Sequence, residues 1–298
     1  MKIGDAQRRP IAIDLFAGVG GMSLGLEQAG FDVVGGVDIV PQHCCAYRYN
    51  FPQAKTLCAD ISSLTGKDLL AFFGLDGHDV DLLAGGTPCQ GFSLVGKRML
   101  DDTRNVLVRD YCRLVGEIRP RYALLENVAA MSQGVQKVYL HELVAELRGF
   151  GYAVFEPIQM IDAQDLGVAQ RRKRIFILAA RSDQLLPFPV KLSAARTTVG
   201  QALMGLPDAD RFTELLVSDE IRLEGEELSS YLAHLPRSAG DDLSQPRIWD
   251  RELLTGSMRT QNDDATLLAF SQKTVGTTSA FDGVGRLDAK AVAPTLLS

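Results

Sequence analysis

At 298 residues, 46% of them hydrophobic, the chain can bury one large core and hold a smaller second domain, and no apolar run is long enough to span a bilayer. Met1 to Pro10 is polar without a signal core and the five cysteines form no Cys-x-x-Cys pair, so a cytoplasmic protein with neither zinc site nor disulfide framework is expected. A net charge of −6 argues against wholesale nucleic-acid binding, yet residues 201–250 carry eleven acids against four bases while Arg171-Arg172-Lys173-Arg174 is densely basic, so acidity does not exclude a polyanionic partner.

The first predicted element is the strand Ile11–Phe16, a mostly apolar run suited to the middle of a parallel sheet. It leads into Ala17-Gly18-Val19-Gly20-Gly21 and a helical pattern, Met22 to Ala29, stopped by Gly30. Strand, glycine turn and helix predict a nucleotide-type site, because glycines let the backbone approach a ligand closely. The spacing is neither a dinucleotide fingerprint nor a P-loop, and plain structural punctuation accounts equally well for the turn by itself. A second strand, Val33 to Val37, ends at Asp38, twenty residues beyond Gly18, where a doubly wound fold places an acid against ribose hydroxyls. A third ends at Asp60-Ile61. Either carboxylate alone suits a loop charge or helix cap. Two at successive strand ends, with Phe16, Ile39 and Ile61 nearby to sandwich a flat base, predict an adenosine pocket.

The strand-like run Val80 to Ala84 then delivers the chain to Gly85-Gly86-Thr87-Pro88-Cys89-Gln90-Gly91-Phe92-Ser93. Pro88 fixes φ just before Cys89, and Gly91 permits an unusual turn after it. A buried thiol is the common fate of a free cysteine, but a core cysteine needs no such punctuation, so Cys89 is the candidate nucleophile. The polar stretch Gly96 to Arg104 is expected to be a mobile loop able to touch phosphate. A helix over Asn105–Ile118 and a strand from Tyr122 follow, the strand ending in Glu126-Asn127-Val128. A carboxylate at the end of an apolar strand is costly to bury without a task or a partner. Beyond it the pattern predicts a helix near Gln136–Arg148, a strand Tyr152–Gln159, a turn Asp162–Val168, the basic cluster, and a last strand Ile175–Ala179.

Taken in order, these segments resemble the DNA cytosine-5 methyltransferases: the glycine turn, Pro-Cys-Gln, Glu-Asn-Val, and a Gln-x-Arg-x-Arg pattern on Gln170, Arg172 and Arg174. That family normally has a second proline where this chain has Thr87. The resemblance implies a flipped-out cytosine attacked at carbon 6 by Cys89, with Glu126 at ring nitrogen 3, Arg174 on the base oxygen and Arg172 organising the site. It implies S-adenosyl-L-methionine as methyl donor, held by Phe16, Gly18, Gly20, Asp38, Ile39, Asp60, Ile61 and Pro88, with no metal. Double-stranded DNA is the implied partner, in bacterial-type modification linked to restriction. An RNA methyltransferase would share the fold and the thiol chemistry, and a cofactor- or DNA-binding remnant would share the fold alone.

The expected fold is α/β: a doubly wound, mostly parallel sheet of the Rossmann-like methyltransferase kind over residues 1–185, and a smaller, irregular second domain. By the resemblance, residues 186–275 are the target-recognition domain. Residues 276–298, with Arg286-Leu287 and Ala293-Pro294-Thr295-Leu296, begin the return to the catalytic domain. The family's final Gly-Asn motif does not occur in this sequence. The expectation is therefore a chain whose cofactor pocket is completed by a further segment, in the same chain or a partner chain.

Overall fold

A computed structural model describes residues 8–88, 106–187, 194–234, 250–277 and 285–295. Cys89, the stretch Gly96–Arg104 and Leu296 lie outside the described residues. The chain divides into two compact units. The first comprises, among described residues, 8–161 and 173–187; the second comprises 162–172, 194–234, 250–277 and 285–295. No helix among the described residues is long and apolar enough to cross a membrane.

The first unit is built on one sheet of β1 (Ile11–Leu15), β2 (Asp32–Asp38), β3 (Lys55–Cys58), β4 (Leu82–Gly86), β5 (Tyr122–Val128), β6 (Tyr152–Val154), β7 (Gln159–Asp162) and β8 (Lys173–Arg181). The strand order is β3-β2-β1-β4-β5-β8-β6, with β7 also against β8. Strands β1 to β5 are parallel, and β8 enters antiparallel to β5 and β6. The helices are α1 (Gly21–Gln28), α2 (Pro41–Asn50), α3 (Gly66–Phe73), α4 (Val106–Ile118) and α5 (Lys137–Gly149). The fold is thus the expected doubly wound α/β sheet.

Burial follows the pattern of the sequence. All of β1 is buried, as a central parallel strand covered on both faces must be. Helix α4 buries Val108, Tyr111, Cys112, Val115 and Ile118, the three-and-four spacing of one helical face. Its Tyr111 hydroxyl, deep in the core, donates to the Leu83 carbonyl at 3.0 Å and so satisfies a polar atom that burial would otherwise penalise. Helix α3 carries a Thr65–Asp68 capping box at one end and left-handed Gly74 at the other.

Several boundaries differ from expectation: β4 runs Leu82–Gly86 rather than Val80–Ala84, and β8 runs Lys173–Arg181 rather than Ile175–Ala179. The third strand stops at Cys58, and Asp60 instead caps a short 3-10 helix, Ile61–Ser63. The strand expected over Tyr152–Gln159 breaks into β6 and β7 around Pro157, which has no N–H to give a ladder.

The second unit is made of short elements: α6 (Val199–Ala202), α7 (Gly225–His234), α8 (Asp264–Ser271) and the antiparallel pair β9 (Glu220–Arg222) and β10 (Leu253–Thr255). Arg222 bridges Asp250 at 2.6 Å and Glu252 at 2.9 Å beside that pair. The expected turn after Asp162 is a 3-10 helix, Ala163–Leu166, closed by left-handed Gly167. Residues near the C-terminus form a parallel bridge with the basic segment, Gln170 to Ala293, and the Thr295 hydroxyl donates to the Arg171 carbonyl at 2.6 Å.

Packing at the glycine turn is tight on one side. A Cβ on Gly20, whose φ is +97°, would sit 2.0 Å from a ring carbon of Phe51. Gly20→Ala is therefore expected to lose stability by about 1–3 kcal/mol through overpacking and a disfavoured φ. An unchanged midpoint in denaturant unfolding would contradict this packing.

Candidate active site

In the sheet, β1, β2 and β3 step outward in one direction, and β4 then returns to the other side of β1. The chain reverses between β1 and β4, and loops leaving their carboxyl ends diverge there. Such a switch point is where open α/β sheets hold ligands. The two loops are Phe16–Gly20 after β1 and the Thr87-Pro88 elbow after β4.

The glycine turn is fastened at several points. Asp38, at the end of β2, accepts from the Gly18 N–H at 2.9 Å through Oδ2 and from the Val40 N–H at 2.9 Å through Oδ1. His43 Nδ1 lies 3.2 Å from the same Oδ1. Asn50 donates to the Val19 carbonyl at 2.8 Å. Phe16 itself has φ +60°, a left-handed conformation that a bulky side chain adopts only under constraint. A Cβ at Gly18 would meet nothing within 4 Å, so this face of the turn is open to a ligand.

Nearby side chains divide in character. Ile39 is 61% exposed and offers an apolar surface, whereas Ile61 is 3% exposed and packs into the core. Asp60 is exposed, and its Oδ1 accepts from the Ser62 N–H at 2.9 Å.

Beneath the turn lies a buried acid that is not among the predicted site residues. Asp14, the lone acid of β1, is 1% exposed and accepts from the Ser23 hydroxyl at 2.7 Å. Ser23 Oγ lies 2.9 Å from the Tyr47 hydroxyl. Asp14 Oδ1 is buried without a hydrogen-bond partner. Burial therefore pushes its pKa up to about 7, against the lowering effect of Ser23. A single acid inside an apolar strand was the available signal.

On the other side of the switch point, Glu126 follows directly from sheet geometry. Gly86 of β4 stands opposite Glu126, and Val128 stands opposite Arg174 of β8. Glu126 and Arg174 are thereby diagonal neighbours on one face, and Arg174 Nε reaches Glu126 Oε1 at 2.8 Å. Both side chains stay partly accessible, at 18% and 21%. Beyond the last β4–β5 pair, Asn127 Nδ2 donates to Thr87 Oγ1 at 2.7 Å. The first unit thus brings Glu126 and Arg174 together and sets Thr87 and Asn127 beside them. Arg172 belongs to the second unit, where its backbone N–H donates to Asp162 at 3.0 Å.

Fold alone puts the first unit in the class of doubly wound α/β domains. Within that class the chain belongs to the C-5 cytosine-specific DNA methylase family, whose model matches residues 11–232. The Type II methyltransferase M.XorII of Xanthomonas oryzae pv. oryzae is 42% identical over 266 residues, 88% of this chain and 62% of the relative. M1.HphI of Haemophilus parahaemolyticus is 35% identical over 198 residues, 65% of this chain and 52% of the relative. The chain thus spans 62% and 52% of the lengths of these two curated relatives. A crystal structure described as a DNA modification methyltransferase encoded within an E. coli prophage matches with a TM-score of 0.73 at 27% identity, over 96% of this chain and 82% of that one.

The buried carboxyl beneath the turn has a pH signature. In the folded chain Asp14 keeps its proton up to about pH 7, whereas the unfolded chain releases it near the ordinary value of 3.8. The folded state binds more protons, so this group's stabilising share is whole below pH 3.8 and is lost as pH rises to about 7. Asp14→Asn is expected to flatten that slope, gaining on the order of 4 kcal/mol relative to wild type between pH 4 and pH 8. Denaturant midpoints of both proteins at the two pH values check it; parallel pH profiles would contradict a buried, proton-holding Asp14.

Proposed function

We propose that this chain carries the catalytic machinery of a DNA cytosine-5 methyltransferase, acting on carbon 5 of a flipped-out cytosine through a covalent adduct with Cys89. The observation that carries the reading is the Glu126–Arg174 pair at the sheet's carboxyl edge, one ladder step from the elbow leading to Cys89. Family membership and the Type II methyltransferase relatives support DNA as substrate and a modification role beside restriction.

The residue types match the chemistry. Cytosine carbon 5 is a poor nucleophile until something adds to carbon 6. The Cys89 thiolate forms a bond to carbon 6, and the electron pair of the 5,6 double bond moves into the ring. Glu126 in its protonated form donates a hydrogen bond or proton at ring nitrogen 3, stabilising that density, and regains the proton when the ring re-forms. Arg174 fixes the orientation of Glu126 through Nε, and its remaining donors suit the base oxygen. Arg172 organises the segment before β8. Carbon 5, now electron-rich, takes the methyl group. Loss of its proton to a base and departure of Cys89 from carbon 6 then restore the aromatic ring.

The methyl donor in this reading is S-adenosyl-L-methionine, which supplies an electrophilic methyl group when bound. The turn fits such a ligand: the open face at Gly18, the constrained Phe16 and the exposed Ile39 offer approach and an apolar wall. Asp38 accepts from ribose hydroxyls, since a carboxylate has lone pairs beyond those its backbone donors use. Asp60 takes the adenine amino group, and Gly20, Pro88 and the backbone at Ile61 complete the surround. Residues 186–275 read the DNA sequence, and residues 276–298 lead back toward the catalytic domain.

DNA carrying 5-fluorocytosine should trap a covalent complex, because fluorine blocks the elimination step; trapping should vanish in Cys89→Ser. Trapping that survives this change, or methyl transfer confined to RNA, overturns the reading. Separately, Asp38→Ala should weaken binding of the methyl donor by about 1.5–3 kcal/mol, the usual worth of a hydrogen bond to a charged group. Calorimetry on the folded variant measures it, and an unchanged affinity removes Asp38 from the pocket.

A further inference from the structure

Thr87 lies on the elbow that follows β4, and its surroundings give the hydroxyl a purpose. The β4–β5 ladder ends at the pair Gly86–Glu126. The next residues on the two strands are Thr87 and Asn127. They are joined side chain to side chain, Asn127 Nδ2 donating to Thr87 Oγ1 at 2.7 Å. The Asn127 amide is oriented by a second bond, its Oδ1 accepting from the Val128 N–H at 2.7 Å. Both residues are buried, at 2% and 0% exposure, so water does not compete for the bond.

We propose that Thr87 is a positioning residue whose bond to Asn127 sets the spacing between the elbow that leads to Cys89 and the carboxyl group of Glu126. The inference rests on the functional reading above. Cys89 follows Thr87 by two residues and Glu126 precedes Asn127 by one, so a route of a few residues and this one hydrogen bond links the two proposed catalytic groups. Backbone pairing cannot do this, because the strands have stopped pairing at that point. Proline at position 87 would stiffen the elbow but offers no side-chain acceptor. In this chain a hydrogen bond across the two loops supplements the stiffness that Pro88 alone provides. Nucleophile and acid must act on opposite atoms of one ring, carbon 6 and nitrogen 3, so a small error in their spacing falls on the rate of the chemical step rather than on binding.

The experiment compares wild type with Thr87→Val, which keeps the shape and removes the hydroxyl, and Thr87→Ser, which keeps the hydroxyl. Thr87→Val should lower kcat for methyl transfer at least about tenfold, and slow trapping on 5-fluorocytosine DNA in step, with KM for DNA within about twofold of wild type. Thr87→Ser should restore most of kcat. Asn127→Ala, which also removes the bond to the Val128 N–H, should be at least as slow as Thr87→Val, and the double variant should be no slower than Asn127→Ala alone, as expected when the bond that Thr87→Val removes is already broken. Should Thr87→Val fail to fold, Thr87→Ala takes its place with the same expected result. An active wild type with Thr87→Val at wild-type kcat, losses that multiply in the double variant, or a loss that falls on KM alone overturns the inference while leaving the functional reading intact. A wild-type chain with neither turnover nor trapping overturns both.

Discussion

The register of β4 between β1 and β5 is the constraint on which the candidate site depends. Gly85 lies opposite Leu15 on one side and Leu125 on the other, and Gly86 lies opposite Glu126. Side chains alternate across a strand, so a slip of β4 by one residue would turn Thr87 to the other face and carry the elbow out of line with Glu126 and Asn127. That slip is resisted by burial: Leu82, Leu83 and Ala84 are buried, each matched to the same partners that fix the register. The Tyr111 hydroxyl on the Leu83 carbonyl adds a directional tie from the helix layer. Core packing and site geometry are in this sense one structure. The apolar residues of β4 exist to bury themselves, and in doing so they deliver the elbow to a single place.

The two acids under the glycine turn show how neighbours divide the roles of one residue type. Asp38 sits near the surface with two backbone N–H donors and His43 beside it. Its carboxylate is thereby suited to hold the turn and accept from a ligand. Asp14 is fully enclosed, has one hydroxyl partner, and feels the Asp38 charge as an additional unfavourable influence on its own ionisation. Desolvation dominates there, so the proton stays near neutral pH. Phe16, between Asp14 and the fastened Gly18 in the chain, holds a left-handed φ of +60°. Strain of this kind persists only where the surroundings over-determine it, which here are the fastened turn and the buried strand before it.

Local pattern was sufficient wherever the physics is local. The strands Ile11–Leu15 and Tyr122–Val128, the helices around Val106–Ile118 and Lys137–Gly149, and the glycine turn were all legible, because burial periodicity and glycine placement act within a few residues. The helices Pro41–Asn50 and Gly66–Phe73 are not among the predicted elements, although the second carries a capping box and a glycine stop. The first buries only Cys44 and Tyr47, too thin a stripe to stand out. Asp60 ends as a helix cap, its side chain accepting from the Ser62 N–H two residues away.

What the sequence by itself determined was the α/β fold class, the order of its motifs and the chemical types of the candidate groups. Tertiary structure alone decided which of those groups meet. Nothing within the spacing of Glu126 and Arg174 pairs them; an antiparallel strand entering beside β5 does. Thr87 was visible as a departure from the family pattern, but its partner Asn127 lies forty residues away, and only the end of a ladder brings the two side chains within 2.7 Å. The burial that lifts the Asp14 pKa is likewise a property of everything packed around it. Propensity and patterning are short-ranged, whereas hydrogen bonds, ion pairs and desolvation act through space, and the chain must fold before distance in space replaces distance in sequence.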